Sequence, residues 1–262
     1  MRTFKPSKRQ SAILDMVARD GFVATEAMVA EFGVTPQTIR RDLNELGLKG
    51  LLTRFHGGAG QAKSGVNLPY EDRLKSGVQA KQKIAEMTAS LIPDESSLFL
   101  NTGTTTETIA QALLGHKNLH VVTNNINVAR YLSQNETFQI MLAGGQVRNH
   151  DGGVTGTEAA EFIDRFRMDV GIIGVSGVDE DGSLLEFNPA EIRAAQSVLR
   201  NSRKVILVAD QHKFGRRAMN RMGDLSDVDI VVTDAPLAPN FEKTCQKAGV
   251  DICVASLENS EG

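Results

Sequence analysis

The chain has 262 residues, 41% of them hydrophobic, and a net charge of −3. That length allows a small domain beside a larger one, and that much apolar material can fill packed cores, which excludes a disordered chain. The charge is uneven: residues 1–60 hold nine Lys/Arg against six Asp/Glu, while the rest hold 20 against 26, so the front end is the one suited to a polyanion. The opening MRTFKPSKRQ lacks an apolar signal core, and no apolar run approaches the ~18 residues that span a bilayer. A cytoplasmic protein with no membrane partner is expected. Cys245 and Cys253 have no CxxC spacing and are expected to be free thiols, with neither a metal site nor a cofactor.

Along the first 60 residues the pattern is helical. Ser7 is placed to cap a first helix carrying Ile13, Leu14 and Val17 on one face, with Gly21 as its stop. Thr25 is expected to cap a second helix over 26–32, which Gly33 ends. A third helix follows, with Thr35 as its N-cap, Pro36 at the first helical position, and Ile39, Leu43 and Leu46 as an inward stripe. Gln37, Thr38, Arg40, Arg41 and Asn44 then point largely elsewhere, and such side chains suit base edges and phosphates. On its own this helix is equally well an amphipathic helix with a solvated face. Its spacing from the helix before it makes a helix-turn-helix, which favours DNA. Residues 51–59 read as a short β segment running into glycines, a wing with Arg54 and His56 near its tip, positioned for phosphates or the minor groove. The reading is a winged helix-turn-helix over residues 1–60. Thr35, Gln37, Thr38, Arg40, Arg41, Asn44, Arg54 and His56 are its candidate DNA contacts.

Residues 61–78 are rich in small, polar and charged side chains and are expected to be a linker. From residue 79 to 262, strand candidates at 98–101, 120–123, 139–143, 170–175, 204–209, 229–232 and 251–254 alternate with helical segments at 107–114, 127–133, 158–165 and 190–199. Alternation of this kind implies a doubly wound, mainly parallel α/β domain. Ligands in such sheets sit beyond the carboxyl ends of strands. After the first strand comes Thr102-Gly103-Thr104-Thr105-Thr106, opening a helix: glycine permits close approach, the hydroxyls donate and the helix N-terminus favours an anion, so the loop suits a phosphate ester. A threonine-rich helix cap is the alternative. The other strand ends contribute Asn124 and Asn125, Gly144 and Gly145 with Arg148, Asp179, and Lys213 as candidate effector contacts.

The core Thr38-Ile39-Arg40-Arg41-Asp42-Leu43, followed by Arg54-Phe55-His56-Gly57-Gly58-Ala59, resembles the DeoR family of bacterial transcription regulators. The resemblance implies that this domain binds operator DNA and that Thr38, Arg40 and Arg41 belong to the reading helix. It continues through Leu142-Ala143-Gly144-Gly145, Asp151-Gly152-Gly153, Ser176-Gly177-Val178-Asp179 and Lys213-Phe214-Gly215-Arg216. It implies a sensor domain related to ribose-5-phosphate isomerase, with glycerol 3-phosphate as inducer and genes of glycerol or glycerol-3-phosphate metabolism as targets. Another sugar phosphate is the alternative effector. Asn101 departs from the pattern, where Asp is usual before the Gly-Thr-Thr loop. An isomerase-like enzyme is the rival reading, but laying the isomerase Asp-Gly-Ala-Asp motif on Ser176-Gly177-Val178-Asp179 replaces the first acid with Ser176, and Asn188 falls near the place of the catalytic lysine. No catalysis is expected. A repressor reading paired or repeated half-sites is expected to be a homodimer or homotetramer.

Overall fold

The computed structural model describes residues 6–20, 22–55, 58–61, 70–75 and 77–255. It divides into two compact units, Met1–Val78 and Gln79–Gly262.

In the first unit, α1 (Lys8–Asp20), β1 (Phe22–Ala24), α2 (Thr25–Phe32) and α3 (Pro36–Leu48) precede the wing strands β2 (Leu52–Phe55) and β3 (Gly58–Gln61). Ser7 caps α1 reciprocally: its Oγ accepts from the Gln10 N–H at 3.2 Å, and Gln10 Oε1 accepts from the Ser7 N–H at 2.9 Å. Thr25 does not cap α2. It is the first helical residue, the cap position falls on Ala24 with no side-chain bond, and Thr25 is buried instead. Gly33 ends α2 in the left-handed region at φ 59°. The strands form an antiparallel sheet in the order β1-β3-β2, so Gly58 and Ala59 continue the central strand. Ile13, Val17, Met28, Ile39, Leu43, Leu46 and Ala59 close one core. Gly21, His56 and Gly57 lie outside the described residues. The stretch expected as linker carries the short helix α4 (Tyr70–Lys75), while residues 62–69 and 76 lie outside the described residues.

The second unit opens with α5 (Val78–Ser90), β4 (Ser97–Leu100), α6 (Thr104–Ala112), β5 (His120–Thr123), α7 (Ile126–Leu132) and β6 (Gln139–Leu142). A small hairpin, β7 (Gln146–Val147) and β8 (Val154–Thr155), leads to α8 (Thr157–Ile163) and β9 (Met168–Gly174). Next come β10 (Gly177–Val178), β11 (Ser183–Glu186), α9 (Pro189–Asn201), β12 (Ser202–Val208), β13 (Asn220–Asp224), β14 (Ile230–Thr233), α10 (Pro239–Ala248) and β15 (Asp251–Val254). Seven strands form one sheet in the order β15-β14-β12-β9-β4-β5-β6, every neighbouring pair parallel. Strands β10, β11 and β13 make a separate antiparallel sheet that the alternation does not announce.

Both faces of the large sheet are covered, as a fully parallel sheet requires. Leu98, Leu100, Val121, Val170 and Ile172 pack with Ile84, Ile109, Val128 and Leu132 of α5, α6 and α7. The alternate residues Phe99, Val122, Ile173, Val205 and Leu207 pack with Ile163, Ala194, Val198, Phe241 and Cys245 of α8, α9 and α10. The chain runs outward from β4 through β5 to β6, then resumes at β9 on the other side of β4 and runs out to β15. The reversal between β4 and β9 opens a crevice at their carboxyl ends, the position where such folds bind ligands.

Candidate functional site

Two surfaces stand out, one in each unit. In the first, the Thr35 hydroxyl accepts from the Thr38 N–H at 3.3 Å and Pro36 opens α3, so the helix starts where its sequence places it. Ile39, Leu43 and Leu46 are fully buried, leaving Gln37, Arg40, Arg41 and Asn44 exposed and Thr38 half-buried against the Thr35 hydroxyl, 3.0 Å away. Arg54 of β2 is exposed and donates through Nη1 to Asn44 Oδ1, tying the wing to α3. Asp42, in the middle of the Arg-Arg-Asp-Leu run, faces the other way. It is buried and accepts from Arg9 Nε at 2.6 Å and Gln10 Nε2 at 3.4 Å, while Gln10 Nε2 also reaches Glu45 Oε2 at 2.9 Å. The hydrogen bond to Asp42 raises Arg9 above the ordinary guanidinium range. Asp42 is therefore a strut between α1 and α3, and the presented face is basic and polar. His56 lies outside the described residues.

In the second unit the crevice is lined first by the loop after β4. Asn101, buried, accepts the Thr102 N–H on Oδ1 at 2.7 Å and sets the turn. Gly103 then stands at the N-cap of α6 with φ 144° and ψ 153°, a conformation closed to most side chains, and, being glycine, offers no side chain to cap the helix. An uncapped N-terminus keeps its N–H groups and the positive end of the helix dipole for an outside anion. Thr106 spends its hydroxyl on the Gly103 carbonyl at 2.7 Å, Thr104 is buried, and Thr105 is half-buried.

Across from this loop lies the turn joining β7 and β8. Arg148 donates to both oxygens of Asp151, through Nε at 3.0 Å and Nη2 at 2.7 Å, and through Nη1 to Glu191 Oε1. The other Glu191 oxygen, Oε2, accepts from Thr102 Oγ1 at 2.9 Å. One carboxylate from the first turn of α9 thus joins the β4 loop to the arginine. Burial disfavours the Arg148 charge, but Glu191 and then Asp151 outweigh it and raise the group above its ordinary value. Gly153 leaves room for the guanidinium: a Cβ there would lie 2.5 Å from Nη2. The turn is braced to α6 by Asn127, whose Nδ2 donates to the Asp151 carbonyl and to Glu107 Oε1, each at 3.1 Å.

Deeper in the crevice, Ser176 follows β9 and donates to Glu186 Oε1 at 2.8 Å; the same oxygen accepts the Phe187 N–H at 2.6 Å. Burial, and then the Glu191 charge, push the Glu186 carboxyl up. Arg216 donates from Nη1 to the Ser176 carbonyl at 3.2 Å and lies over the Phe187 ring, 4.9 Å from its centroid.

The expected residues are distributed unequally over this geometry. Gly103, Thr104, Thr105 and Thr106 form the start of α6, and Arg148 is joined to the same loop through Glu191 and Thr102. Asn125 is committed elsewhere: Oδ1 caps α7, and Nδ2 donates to Glu107 Oε1 at 3.1 Å. Asn124 is buried and donates to the Val154 carbonyl at 3.0 Å. Gly145 (φ 146°) lets the chain pass β8, where a Cβ would meet the Thr155 carbonyl at 2.7 Å, whereas Gly144 faces open space. Asp179 sits in the β10–β11 turn, its carboxylate accepting from the Glu180 N–H at 2.9 Å, and that turn packs on α10 through Thr244. Lys213 ends the short helical turn after β12, half-buried, in a loop that bonds to β10 through the Gly215 N–H and the Val178 carbonyl at 2.8 Å. Thr102 was named only as part of the phosphate-suited loop, and the sequence reading did not propose Asp151, Glu186, Glu191 or Arg216 as contacts, although they join this network of hydrogen bonds and ion pairs. Among the described residues no cluster of three or more His, Cys, Asp or Glu could hold a metal ion, and no helix is long and apolar enough to cross a membrane.

Comparison with known proteins places these surfaces in context. Residues 9–65 match the DeoR-like helix-turn-helix domain, and residues 76–235 match the DeoR C terminal sensor domain. The chain is 50% identical over 232 residues to the glycerol-3-phosphate regulon repressor of Escherichia coli (strain K12), covering 88% of this chain and 92% of that one. It is 46% identical over 233 residues to the repressor of the same name from Haemophilus influenzae, covering 88% and 91%. Ribose 5-phosphate isomerase A from Neisseria gonorrhoeae overlaps 52% of this chain and 53% of its own, with 18% identity and a TM-score of 0.39. The relatives of high identity are transcriptional repressors, not enzymes.

Proposed function

The chain belongs to the DeoR family of transcription regulators, and from its 46–50% identity to glycerol-3-phosphate regulon repressors we propose that it represses genes of glycerol or glycerol-3-phosphate metabolism until glycerol 3-phosphate binds its second unit. The observation that carries the ligand half of this reading is the uncapped α6 N-terminus at the sheet's reversal point, with Thr102 and Arg148 joined beside it through one carboxylate. A helix N-terminus contributes ~0.3–1 kcal/mol to an anion and a charged hydrogen bond ~1.5–3, whereas micromolar affinity needs about 8. No single group suffices, so the Gly103–Thr106 loop, Arg148 and a second cation such as Lys213 act together, and a dianionic phosphate ester is the ligand that uses them all.

Gln37, Thr38, Arg40, Arg41 and Asn44 contact operator DNA from the groove side of α3, and Arg54, bonded to Asn44, extends that surface onto the wing. The modest basic excess of residues 1–60 makes one copy a weak binder; two or four copies gain effective concentration on repeated half-sites. The inducer shifts the balance only by preferring the arrangement that no longer fits that spacing. We place the protein in the cytoplasm, where both DNA and metabolite are found.

The test is titration of a labelled control-region fragment from the glycerol-metabolism genes with the full chain, with and without glycerol 3-phosphate. Tight binding relieved by the metabolite supports the proposal. Binding that millimolar glycerol 3-phosphate leaves unchanged removes the inducer assignment, and measurable turnover of sugar phosphates would restore the enzyme.

A further inference from the structure

Glu191 holds two polar groups well suited to bind a phosphate. Its carboxylate takes the Thr102 hydroxyl on Oε2 at 2.9 Å and the Arg148 guanidinium on Oε1. A carboxylate and a phosphate are read by the same donors in the same forked geometry. Both side chains of the ion pair are largely withdrawn from solvent, Arg148 at 11% exposed and Glu191 at 18%. Thr102 adjoins Gly103, at the uncapped start of α6.

We propose that Glu191 is a built-in occupant of the phosphate position: Thr102 Oγ1 and the Nη1 edge of Arg148 are ligands of the incoming phosphate, and effector binding proceeds by exchange of that phosphate for the Glu191 carboxylate. The inference rests on the sensor reading above and assigns its anion subsite. Asp151 continues to hold the other two nitrogens of Arg148 throughout, so the cation stays in place while its partner changes. Glu191 belongs to the first turn of α9, which packs against β9 beneath the crevice. Its release therefore carries the arrival of ligand from the β4 loop into a helix of the opposite sheet face. Ligand affinity in the native chain is a difference between two anions competing for one pair of donors.

The experiment is isothermal titration of the full-length native chain and of Glu191→Gln with glycerol 3-phosphate and, separately, with inorganic phosphate. Glutamine keeps the size of the side chain and loses the competing charge, so both probes are expected to bind the variant at least tenfold more tightly. Glycerol 3-phosphate binding the variant more weakly while inorganic phosphate is unaffected would make Glu191 a receptor for the glycerol hydroxyls and overturn the exchange. Equal affinity for native and variant chains would overturn it too. If the native chain binds neither probe, the sensor reading itself fails, a result distinct from native binding that Glu191→Gln leaves unimproved. Should the variant not fold, a crystal of the native chain with glycerol 3-phosphate decides: the phosphate on Thr102 and Arg148 with Glu191 turned away supports the exchange, and Glu191 still bonded to both overturns it.

Discussion

Replacing Gly153 with alanine tests whether Arg148 must stand where it does. Gly153 has no left-handed φ, so the backbone accepts alanine and only the new methyl matters. That methyl would sit 2.5 Å from Arg148 Nη2 and 3.1 Å from both Cζ and Nε. Restoring ordinary contact at ~3.5 Å moves the guanidinium by about 1 Å. Such a shift stretches the Nη2 bond to Asp151, now 2.7 Å, beyond hydrogen-bonding range and turns Nη1 off the crevice. About one charged hydrogen bond is lost to the site, ~1.5–3 kcal/mol, which corresponds to roughly 10- to 100-fold in affinity. Calorimetric titration of Gly153→Ala with glycerol 3-phosphate should show that weakening, with operator affinity in the absence of ligand unchanged. Native affinity for the metabolite in a variant whose crystal structure shows a displaced Arg148 would refute the role given to this arginine.

Three further substitutions separate structural from recognition roles. Arg40→Ala should weaken operator binding by ~1–3 kcal/mol, the worth of a charged contact to DNA, leave melting unchanged, and be read by gel shift against the native chain. Asp42→Ala, two residues on, should do the reverse in its first effect: with the α1–α3 strut gone, the first unit melts earlier, by roughly 4–8 °C for each kcal/mol lost in a domain of this size, as scanning calorimetry would register. Glu186→Gln tests burial. Burial and the neighbouring Glu191 charge raise the folded carboxyl above its unfolded value, so its protonated form favours folding, and that contribution is complete below the unfolded value near pH ~4.3 and lost as pH rises through the folded one. Its bonds from Ser176, Phe187 and Asn188 all fall on Oε1, which glutamine retains. The variant should therefore melt higher than the native chain at pH 7 and no higher at pH 4.

What could be read from the residues follows the range of the interaction that decides it. The α3 boundary is local chemistry, a Thr35 cap and a Pro36 start, and its buried stripe is a period of the chain itself, so Ile39, Leu43 and Leu46 declared themselves. The parallel strands did so for the same reason, being short apolar runs covered on both faces. Helix α10 did not, because it buries little: Phe241 and Cys245 are its buried residues, too sparse a stripe to recognise. Asp179 was chosen because it follows a strand; that strand is the short β10, whose antiparallel turn into β11 packs on α10, and no periodicity foretells a turn of that direction. Glu191 drew no reading from the sequence. Asn188-Pro189-Ala190-Glu191 has the spacing of a capping box, in which the glutamate turns back to the Asn188 N–H. In the fold that N–H goes to Glu186 Oε1 at 3.4 Å, and Glu191 reaches Thr102, 89 residues away. A local motif predicts a local partner, and it holds until a second acid takes that partner and the strand order brings a stronger one. The first condition is still local, two residues along the chain, but the second arises only where β9 returns beside β4, which neighbouring residues do not specify.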